Sequence, residues 1–444
     1  MTDRLVDATN VPCGCVQSMS AEFDYKSPVP IDRLSELHVD ECVRPSHGMT
    51  GSRFEFTIEP NEDTFVHLST LTLHAKLKVQ SANGTNLTAL SHKPAFVNNI
   101  IASLWSSVVV KINGHELNPL SAHHPGYKAM IANLLSYNPD GARQLAPGGF
   151  QVEDGEHNET LDDNYKQFQY WTVNLKQSTL VDISGPLPLD ICSLDNMLAP
   201  GVKLEIVLEP SPEAFHLMCG HETAMFKTTF QDMFLQFRRV RMTPQFTNEV
   251  LASSRKVEHR YIGPYTHLSS YEVPKGSTMH VVPLYPTGHV LPKHLVVAQV
   301  PTKNFRGTLG TNPYVFPHYD LVHLAVRSNN VVAVDSELTP DFANHLVARE
   351  YFRLCTQTGK RGSTSEGTLI TEDNFVKNHT LFPFDLTPDE CNARHLHLSR
   401  TAKLDLEMRW KKALEDNVTV LVLATFDQII TIHPKSRAAT SHLI

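Results

Sequence analysis

The sequence of 444 residues predicts an all-β chain with two similar β-sandwich domains in tandem. Segments of the first half recur in the same order in the second half. Within these segments apolar residues alternate with polar ones, which is typical of a strand with one face on a core. Many of the 28 prolines lie between the strand-like runs. Together, these observations favour two sandwiches or jelly rolls with short helical insertions.

The repeat consists of two pairs of matching segments. In each half a short connection leads into an alternating strand, and a strand–turn–strand motif is followed by a helix-like stretch. The matching segments are 185–190 and 202–209 with 381–385 and 402–409, and 107–117 and 127–137 with 321–334 and 340–356. The helix-like stretches are too few for a parallel α/β sheet. Two β-domains of one design are more typical of a structural building block than of an enzyme.

The pattern divides the chain into four parts. Residues 1–48 are rich in Pro, Ser and Asp, show no sustained period and are predicted to form an arm. The first domain is predicted at 49–245 and the second at 246–433, with the connection between them near 244–255. Residues 434–444 are predicted to be a short basic tail.

Strand candidates follow one another in order, and turn signals separate them. In the first domain they are 53–58, 65–68, 70–79, 107–117, 202–209, 226–230 and 233–242. In the second domain they are 279–284, 294–300, 321–334, 403–409 and 418–426. Asn113 and Gly114 are the strongest hairpin signal, because a type I′ turn needs a positive φ at both central positions.

Composition limits the classes of function. A hydrophobic content of 41% and a charged content of 19% are ordinary for a globular protein. The formal net charge of -8 argues against a main surface that grips nucleic acid. No apolar run reaches the roughly 18 residues of a membrane span, and the N-terminus lacks a signal-peptide stretch. We therefore expect no membrane span, a reducing compartment, and mostly buried free thiols for the seven cysteines.

Metal binding is the first chemistry to consider, because the chain has 24 histidines. A two-domain cupin would hold a metal with a His-x-His pair and a Glu shortly after it. The pair His395 and His397 is followed at that spacing by Arg400, Thr401 and Ala402. Scattered core and surface histidines are therefore the favoured interpretation.

Three other clusters are weak candidates for a metal site. Cys13 and Cys15 lack the second ligand pair of a zinc site. His123 and His124, if they lie on a strand, point to opposite faces. The acidic stretch 154–163 lacks the Gly and the closing Glu of a calcium loop, so we expect a solvated loop there.

Catalytic signatures are also lacking. The sequence has no Gly-x-Ser-x-Gly elbow and no glycine-rich nucleotide loop. The basic cluster 237–241 places Arg238 and Arg239 on opposite faces of a strand. Contact with nucleic acid is one interpretation of this cluster, and neutralisation by acidic neighbours is the commoner one. We predict no catalytic, cofactor-binding or metal-binding residue, and no cofactor.

Eight short motifs between about residue 50 and residue 430 follow one another in a distinctive order. They begin at Phe54, Phe65, Phe96, Val110, Tyr127, Pro210, Asn374 and Leu381. This order resembles the double jelly-roll major capsid proteins of Polinton/Maverick elements and adintoviruses, relatives of adenovirus hexon and of virophage capsid proteins. The chain is short for that lineage, so we expect the large tower loops to be absent.

The resemblance implies a double jelly roll that forms homotrimeric capsomers, each with six jelly rolls around a threefold axis, which tile an icosahedral shell. The implied partners are copies of the same chain, neighbouring capsomers, and penton or minor capsid proteins. The implied location is the virion capsid, with synthesis in the host cytoplasm and assembly there or in the nucleus. No enzymatic activity is implied.

Two hypotheses concern the ends of the chain. Because residues 1–48 are polar and have no core of their own, we expect the arm to tie capsomers together. We expect the basic tail, with Lys435 and Arg437, to face the packaged genome and to contact DNA weakly.

Three alternatives stay open at the level of sequence. A minor capsid or penton protein is disfavoured by the repeat, because such proteins are usually built on one jelly roll. A two-domain cupin-like metalloenzyme would need a metal site. A carbohydrate-binding β-sandwich would need clustered, exposed aromatic residues, whereas Trp105, Trp171 and Trp410 are dispersed along the chain.

Overall fold

A computed structural model describes residues 15–16, 35–49, 51–88, 92–152, 166–194, 196–221, 223–254, 256–329, 331–357, 367–387, 396–397, 399–434 and 437–443. The strands found there are β1 Cys15–Val16, β2 Ser35–Val43, β3 Phe54–Ile58, β4 Thr64–Ser81, β5 Ala95–Phe96, β6 Trp105–Ile112, β7 His115–Leu117, β8 Val181–Pro186, β9 Leu204–Pro210, β10 Leu217–Met218, β11 Phe226–Met242, β12 His259–Val273, β13 Met279–Tyr285, β14 His294–Pro301, β15 Leu321–Ser328, β16 Val331–Leu338, β17 Leu381–Asp385, β18 Leu396–His397, β19 Leu404–Trp410, β20 Val418–Ile432 and β21 Ala439–Leu443.

Short helices lie in the connections between these strands. The α-helices are α1 Ile100–Ser103, α2 Pro125–Ser136, α3 Lys166–Asn174, α4 Glu213–His216, α5 Pro244–Ser254, α6 Thr302–Arg306, α7 Ala348–Thr356 and α8 Glu372–Lys377. The 3-10 helices are Pro119–Ala122, Gly141–Gly148, Lys176–Ser178, Asp190–Ser193 and Phe342–Asn344. Within the described residues, no helix is both long enough and apolar enough to cross a membrane.

Two jelly rolls with the same strand plan make up the fold. The first roll has the sheets β2-β11-β4-β8 and β3-β9-β6-β7, and the second has β12-β20-β14-β17 and β13-β19-β15-β16. Each roll has eight of these strands. If they are numbered along the chain within a roll, strands 1, 8, 3 and 6 form one sheet, and strands 2, 7, 4 and 5 form the other. This arrangement confirms the predicted double jelly roll and explains the sequence repeat.

Alternation of apolar and polar residues builds the core of each roll. On β4, the side chains of Leu71, Leu73, Ala75, Leu77 and Val79 are buried, while the residues between them face outwards. The pleat of a strand sends successive side chains to opposite faces, so this pattern specifies which face packs inside.

The predicted turn and helical stretches are present. Asn113 has a φ of 50° and Gly114 a φ of 79°, as a type I′ hairpin requires. The helical stretch predicted near 127–137 is α2, and the one near 340–356 comprises the 3-10 helix Phe342–Asn344 and α7.

Parts of the predicted arm and of the predicted tail form strands. The last part of the predicted arm is β2, which pairs with β11, and the predicted tail contains β21, which pairs with β20. The predicted connection between the domains is largely α5. β2 and β21 form where the long strands β11 and β20 offer them free hydrogen-bonding groups.

The prediction of buried thiols is wrong for three of the four cysteines whose side chains the structure describes. Cys219 is buried, whereas Cys42 is exposed and Cys192 and Cys355 are partly exposed.

One buried histidine makes the stability of the first roll depend on pH. His216 lies at the end of α4 and is 2% exposed. Its Nδ1 is 3.0 Å from the hydroxyl oxygen of Ser211, and its Nε2 is 2.8 Å from that of Thr228. Burial lowers the pKa of His216 from 6.5 to about 4. The folded roll therefore holds this ring neutral at a pH where the unfolded chain protonates it.

We expect the stabilising contribution of His216 to be complete above pH 6.5 and to be lost as the pH falls towards 4. Between pH 7 and pH 5 this one group should lower the free energy of unfolding by about 2 kcal/mol. In His216→Gln that part of the pH dependence should disappear, which urea unfolding at the two pH values measures. His115→Gln, at an exposed position, is the control. Equal pH dependence in wild type and His216→Gln would contradict the expectation.

Candidate functional site at the seam between the jelly rolls

The chemical clusters considered from the sequence do not form a metal site in the described residues. No group of three or more His, Cys, Asp or Glu side chains there is arranged to hold a metal ion. Cys13, His395 and the stretch 154–163 lie outside the described residues. Cys15 and His397 are backbone partners in the β1–β18 pair.

His123 and His124 do not lie on a strand. They join the 3-10 helix Pro119–Ala122 to α2, and His124 has a φ of 52°. The His124 ring is 5.0 Å from that of Phe305, which belongs to the second roll. Burial, and then the neighbouring His123, lower the pKa of His124. These histidines therefore lie where the two rolls meet.

The two rolls contact each other along a surface that we call the seam. Its centre is α2, which belongs to the connection between β7 and β8 of the first roll. The side chains of Met130, Ile131, Leu134 and Leu135 on α2 are part of the hydrophobic core of the second roll. The backbone carbonyl of Leu134 accepts a hydrogen bond from the N–H of Leu369 at 2.9 Å. Each roll thus completes its core with residues at the seam.

An aromatic cluster surrounds the first turn of α2. Tyr127 is fully buried, and its ring centroid lies 5.6 Å from that of Phe305, 5.4 Å from that of Tyr314 and 6.4 Å from that of Phe316. These three partners belong to the second roll. Aromatic pairs at such distances contribute about 1 kcal/mol each beyond the area that they bury, so the cluster is a strong part of the seam.

A buried polar cluster lies beside the aromatic one. The carboxylate of Asp190, in the first roll, accepts hydrogen bonds from the N–H and hydroxyl of Thr266 in the second roll and from the hydroxyl of Ser121. The Lys128 ammonium is 4.0 Å from the same carboxylate and donates to the Thr266 carbonyl at 3.1 Å. Burial lowers the pKa of Lys128, and Asp190 opposes that shift. Burial, and then the nearby charge of Asp190, raise the pKa of the Cys192 thiol to about 12.

The residues of this polar cluster were not predicted as functional. Asp190 ends one of the repeated segments, and Lys128 is the one charged residue of α2. A buried charge needs a partner, so Lys128 was the residue in the sequence that indicated a buried polar cluster. The partner itself could not be predicted, because Asp190 and Thr266 are far from Lys128 in sequence.

A cleft of about 460 Å³ runs along the seam, with Lys128, Asp190 and Thr266 in its wall. His267 is close to this cluster. Burial lowers its pKa, and the charges of Lys128, His289 and His123 lower it further. The Lys128 ammonium has the Asp190 carboxylate as its acidic neighbour in this wall of the cleft.

The end of the second roll extends the seam. Ile430, Ile432 and Ala439 belong to the hydrophobic core of the first roll, and the phenol oxygen of Tyr261 accepts a hydrogen bond from the N–H of Ala199 at 3.0 Å. Residues of α2 in the first roll pack into the core of the second roll, and these residues of the second roll pack into the core of the first. The pair of rolls is therefore one block.

The described end of the predicted basic tail contacts the first roll. The Arg437 guanidinium donates to the carbonyl of Gly201 at 2.5 Å, and the carbonyl of Arg437 accepts from the Asn113 side chain at 2.8 Å. Lys435 lies outside the described residues. Arg437 is thus held against the first roll, and β21 continues a sheet of the second roll; the expected weak contact of the tail with DNA stays a prediction.

The basic cluster 237–241 is paired with acidic residues of β2. Arg238 Nε lies 2.8 Å from Asp40 Oδ1, and Arg239 Nε lies 2.7 Å from Glu41 Oε2. The hydrogen bond from Arg238 lowers the pKa of Asp40. This confirms neutralisation by acidic neighbours, and it shows why β2 attaches to β11.

Tryptophan side chains do not form an exposed platform. Trp105, Trp171 and Trp410 are 1%, 3% and 4% exposed. A carbohydrate-binding surface built on stacked tryptophans therefore finds no support in the structure.

Comparisons with known sequences identify one distant relative. No protein-family model matches the chain. An uncharacterized protein of Caenorhabditis elegans is 21% identical over 399 residues, which are 85% of this chain and 91% of that protein.

Several solved structures share the fold at low sequence identity. A chain of the Sputnik virophage structure has a TM-score of 0.59 and 12% identity, and the match covers 98% of this chain and 94% of that one. The Faustovirus major capsid protein has a TM-score of 0.55 and 9% identity, with 91% of each chain covered. The mavirus major capsid protein has a TM-score of 0.50 and 9% identity, with 98% and 97% covered. The described part of the chain therefore shares the double jelly-roll fold of these structures.

The seam yields a test of its polar cluster. Asp190→Asn should leave the Lys128 ammonium buried without its acidic partner, which costs about 3 kcal/mol of unfolding free energy. Urea unfolding monitored by fluorescence measures this change. Asp182→Asn, on an exposed position of β8, is the matched control and should have little effect. Equal stability of the two variants would contradict this role of Asp190.

Proposed function

We propose that this chain is a major capsid protein, which forms pseudo-hexameric homotrimers that tile an icosahedral shell. The observation that carries the proposal is the seam, which joins two jelly rolls of one plan into one block. The fold shared over nearly the whole chain with virophage and giant-virus capsid proteins supports it.

The geometry of the block suits this use. Three copies of a two-roll block arranged around a threefold axis present six similar rolls, which is close to the sixfold symmetry of a hexagonal tile. The contacts between copies would be heterologous, with different surfaces meeting at each boundary. Interfaces of this permanent kind are large and apolar.

The proposed role is non-enzymatic, and the filled interiors of the rolls support it. A cupin-like enzyme would line the inside of a roll with metal ligands. The inward side chains of β19 are Leu404, Leu406, Met408 and Trp410, and all are buried among other apolar residues. A minor capsid or penton protein is disfavoured because two complete rolls are present.

The finer assignments are also part of the proposal. We assign the chain to the Polinton/Maverick–adintovirus lineage, and the relative in an animal, Caenorhabditis elegans, supports an integrated element. The location would be the virion capsid, built after synthesis in the host cytoplasm, with penton or minor capsid proteins as further partners. The domains would be rolls at 49–245 and 246–433, with β2 and β21 added to them.

The mass of the purified protein tests the proposed function. We expect light scattering to give three times 49.7 kDa, with hexagonal outlines in negative-stain images of the same fraction. Added zinc, iron or manganese should change neither result. A stable monomer or dimer would overturn the capsid proposal.

Deletion of residues 1–34 tests the proposed arm. This deletion retains β2, so the first roll keeps its strand and its charge pairs with β11. We expect trimers of normal mass that no longer assemble into shells, as followed by electron microscopy under conditions in which the full chain assembles. Loss of the trimer, or normal shells, would contradict a role in tying capsomers together.

A further inference from the structure

The cleft along the seam has the size and the lining of a small-molecule site. Its volume is about 460 Å³, whereas pockets for small ligands measure roughly 300–1,000 Å³ and often lie between domains. Both rolls form its wall. Ala102, Ala129, Leu187 and Leu189 of the first roll and Leu423 of the second are buried apolar members of that wall. A ligand in the cleft would therefore contact both rolls through apolar surface.

The charged residues in the wall are already satisfied. The Lys128 ammonium has three N–H donors, and it donates to the carbonyl and the hydroxyl of Ser121 and to the Thr266 carbonyl. The Asp190 carboxylate lies 4.0 Å from that ammonium and accepts from Ser121 and from the N–H and hydroxyl of Thr266. Because each charge faces the other and has its own partners, a neutral molecule fits this wall better than an ion.

Asn99 is the wall residue with an unused hydrogen-bond donor. It precedes α1 and is 3% exposed. Its Nδ2 has no hydrogen-bond partner among the described residues, and its side chain does not cap α1. The preceding Asn98 differs, because its Oδ1 accepts from the N–H of Gln151 and its Nδ2 donates to the Gln151 carbonyl. Buried donors normally have acceptors, so Asn99 Nδ2 is the group in this wall that an acceptor on a ligand would satisfy.

We propose that the seam cleft is a binding site for a small, neutral and largely apolar molecule whose carbonyl oxygen accepts a hydrogen bond from Asn99 Nδ2. The apolar part of this molecule lies against Ala102, Ala129 and Leu423. Because both rolls form the wall, the bound molecule stabilises the pair of rolls by mass action. The site lies within one chain, so it does not depend on the capsid assignment.

A ketone and its carbonyl-free analogue test the proposal. Prodan carries one carbonyl on an apolar naphthalene, and dimethylaminonaphthalene has the same ring system without the carbonyl. Isothermal titration calorimetry on the full-length protein measures both. We expect prodan to saturate a single site in each chain. The analogue should bind the wild type about tenfold more weakly, which is the effect of one buried hydrogen bond.

Asn99→Gly removes the donor and retains the backbone. Asn99 has a φ of 55°, which glycine adopts without strain. This variant should bind prodan and the analogue equally, because the hydrogen bond to the carbonyl is lost. Asn329→Gly is the matched control, since Asn329 has a φ of 51° and lies outside the cleft, between β15 and β16. It should retain the preference of the wild type for prodan.

Ala132→Phe tests the location of the site by a second route. Ala132 is an exposed residue of α2 in the wall of the cleft. A larger side chain there occupies the cleft and requires no rearrangement of the core. We expect the binding of prodan to be lost, while the circular dichroism spectrum stays that of the wild type.

The outcomes separate this inference from the proposed function. The inference would be overturned if prodan showed no saturable binding, or if Asn99→Gly kept the preference for the ketone. Undiminished binding to Ala132→Phe would place prodan at another site and would count equally against it. A wild type that binds prodan as expected but is monomeric would instead overturn the capsid proposal and leave the inference intact.

Discussion

The position of α2 between the two rolls is the constraint on which the rest of the structure depends. Helix and second roll approach so closely that a Cβ on Gly126 would lie 2.5 Å from the Tyr314 hydroxyl and 3.3 Å from the Cα of Ser103. The same hydroxyl is within 2.5 Å of the Ser103 hydroxyl. With glycine at this place, Tyr127 reaches the aromatic cluster and Lys128 reaches Asp190. The rolls therefore have one relative orientation, set by packing.

The two rolls share one strand plan but differ in what covers their helices. If both rolls buried the same surfaces, the chain would have no open faces for copies of itself. Instead, α2 is buried on nearly all sides, whereas α7 buries one face and exposes Phe352. Small differences between the repeats thus leave one helix inside the seam and the other with an exposed aromatic side chain.

Charged residues have two different roles in the block. Between β2 and β11, Arg238 pairs with Asp40 at an exposed site, where an ion pair is worth little energy, and the buried Arg239 pairs with Glu41. At the seam, the Asp190 carboxylate accepts hydrogen bonds from both rolls. Its loss would leave the buried Lys128 ammonium without an acidic partner. The basic cluster and Arg437 both have partners within the chain, because Arg238 and Arg239 pair with acidic residues of β2 and the Arg437 guanidinium donates to the Gly201 carbonyl.

The sequence by itself determined the fold class, the repeat, the Asn113–Gly114 hairpin and the helical stretches at α2 and α7, because alternation and turn chemistry are local properties. It could not locate β2 or β21, whose order depends on long partner strands, or correct the strand assumed for His123 and His124. Only the tertiary structure decided that Lys128 meets Asp190 and Thr266, and that Phe352 and Leu37 stay open. These outcomes depend on contacts between residues far apart in sequence, and local pattern carries no information about such distances.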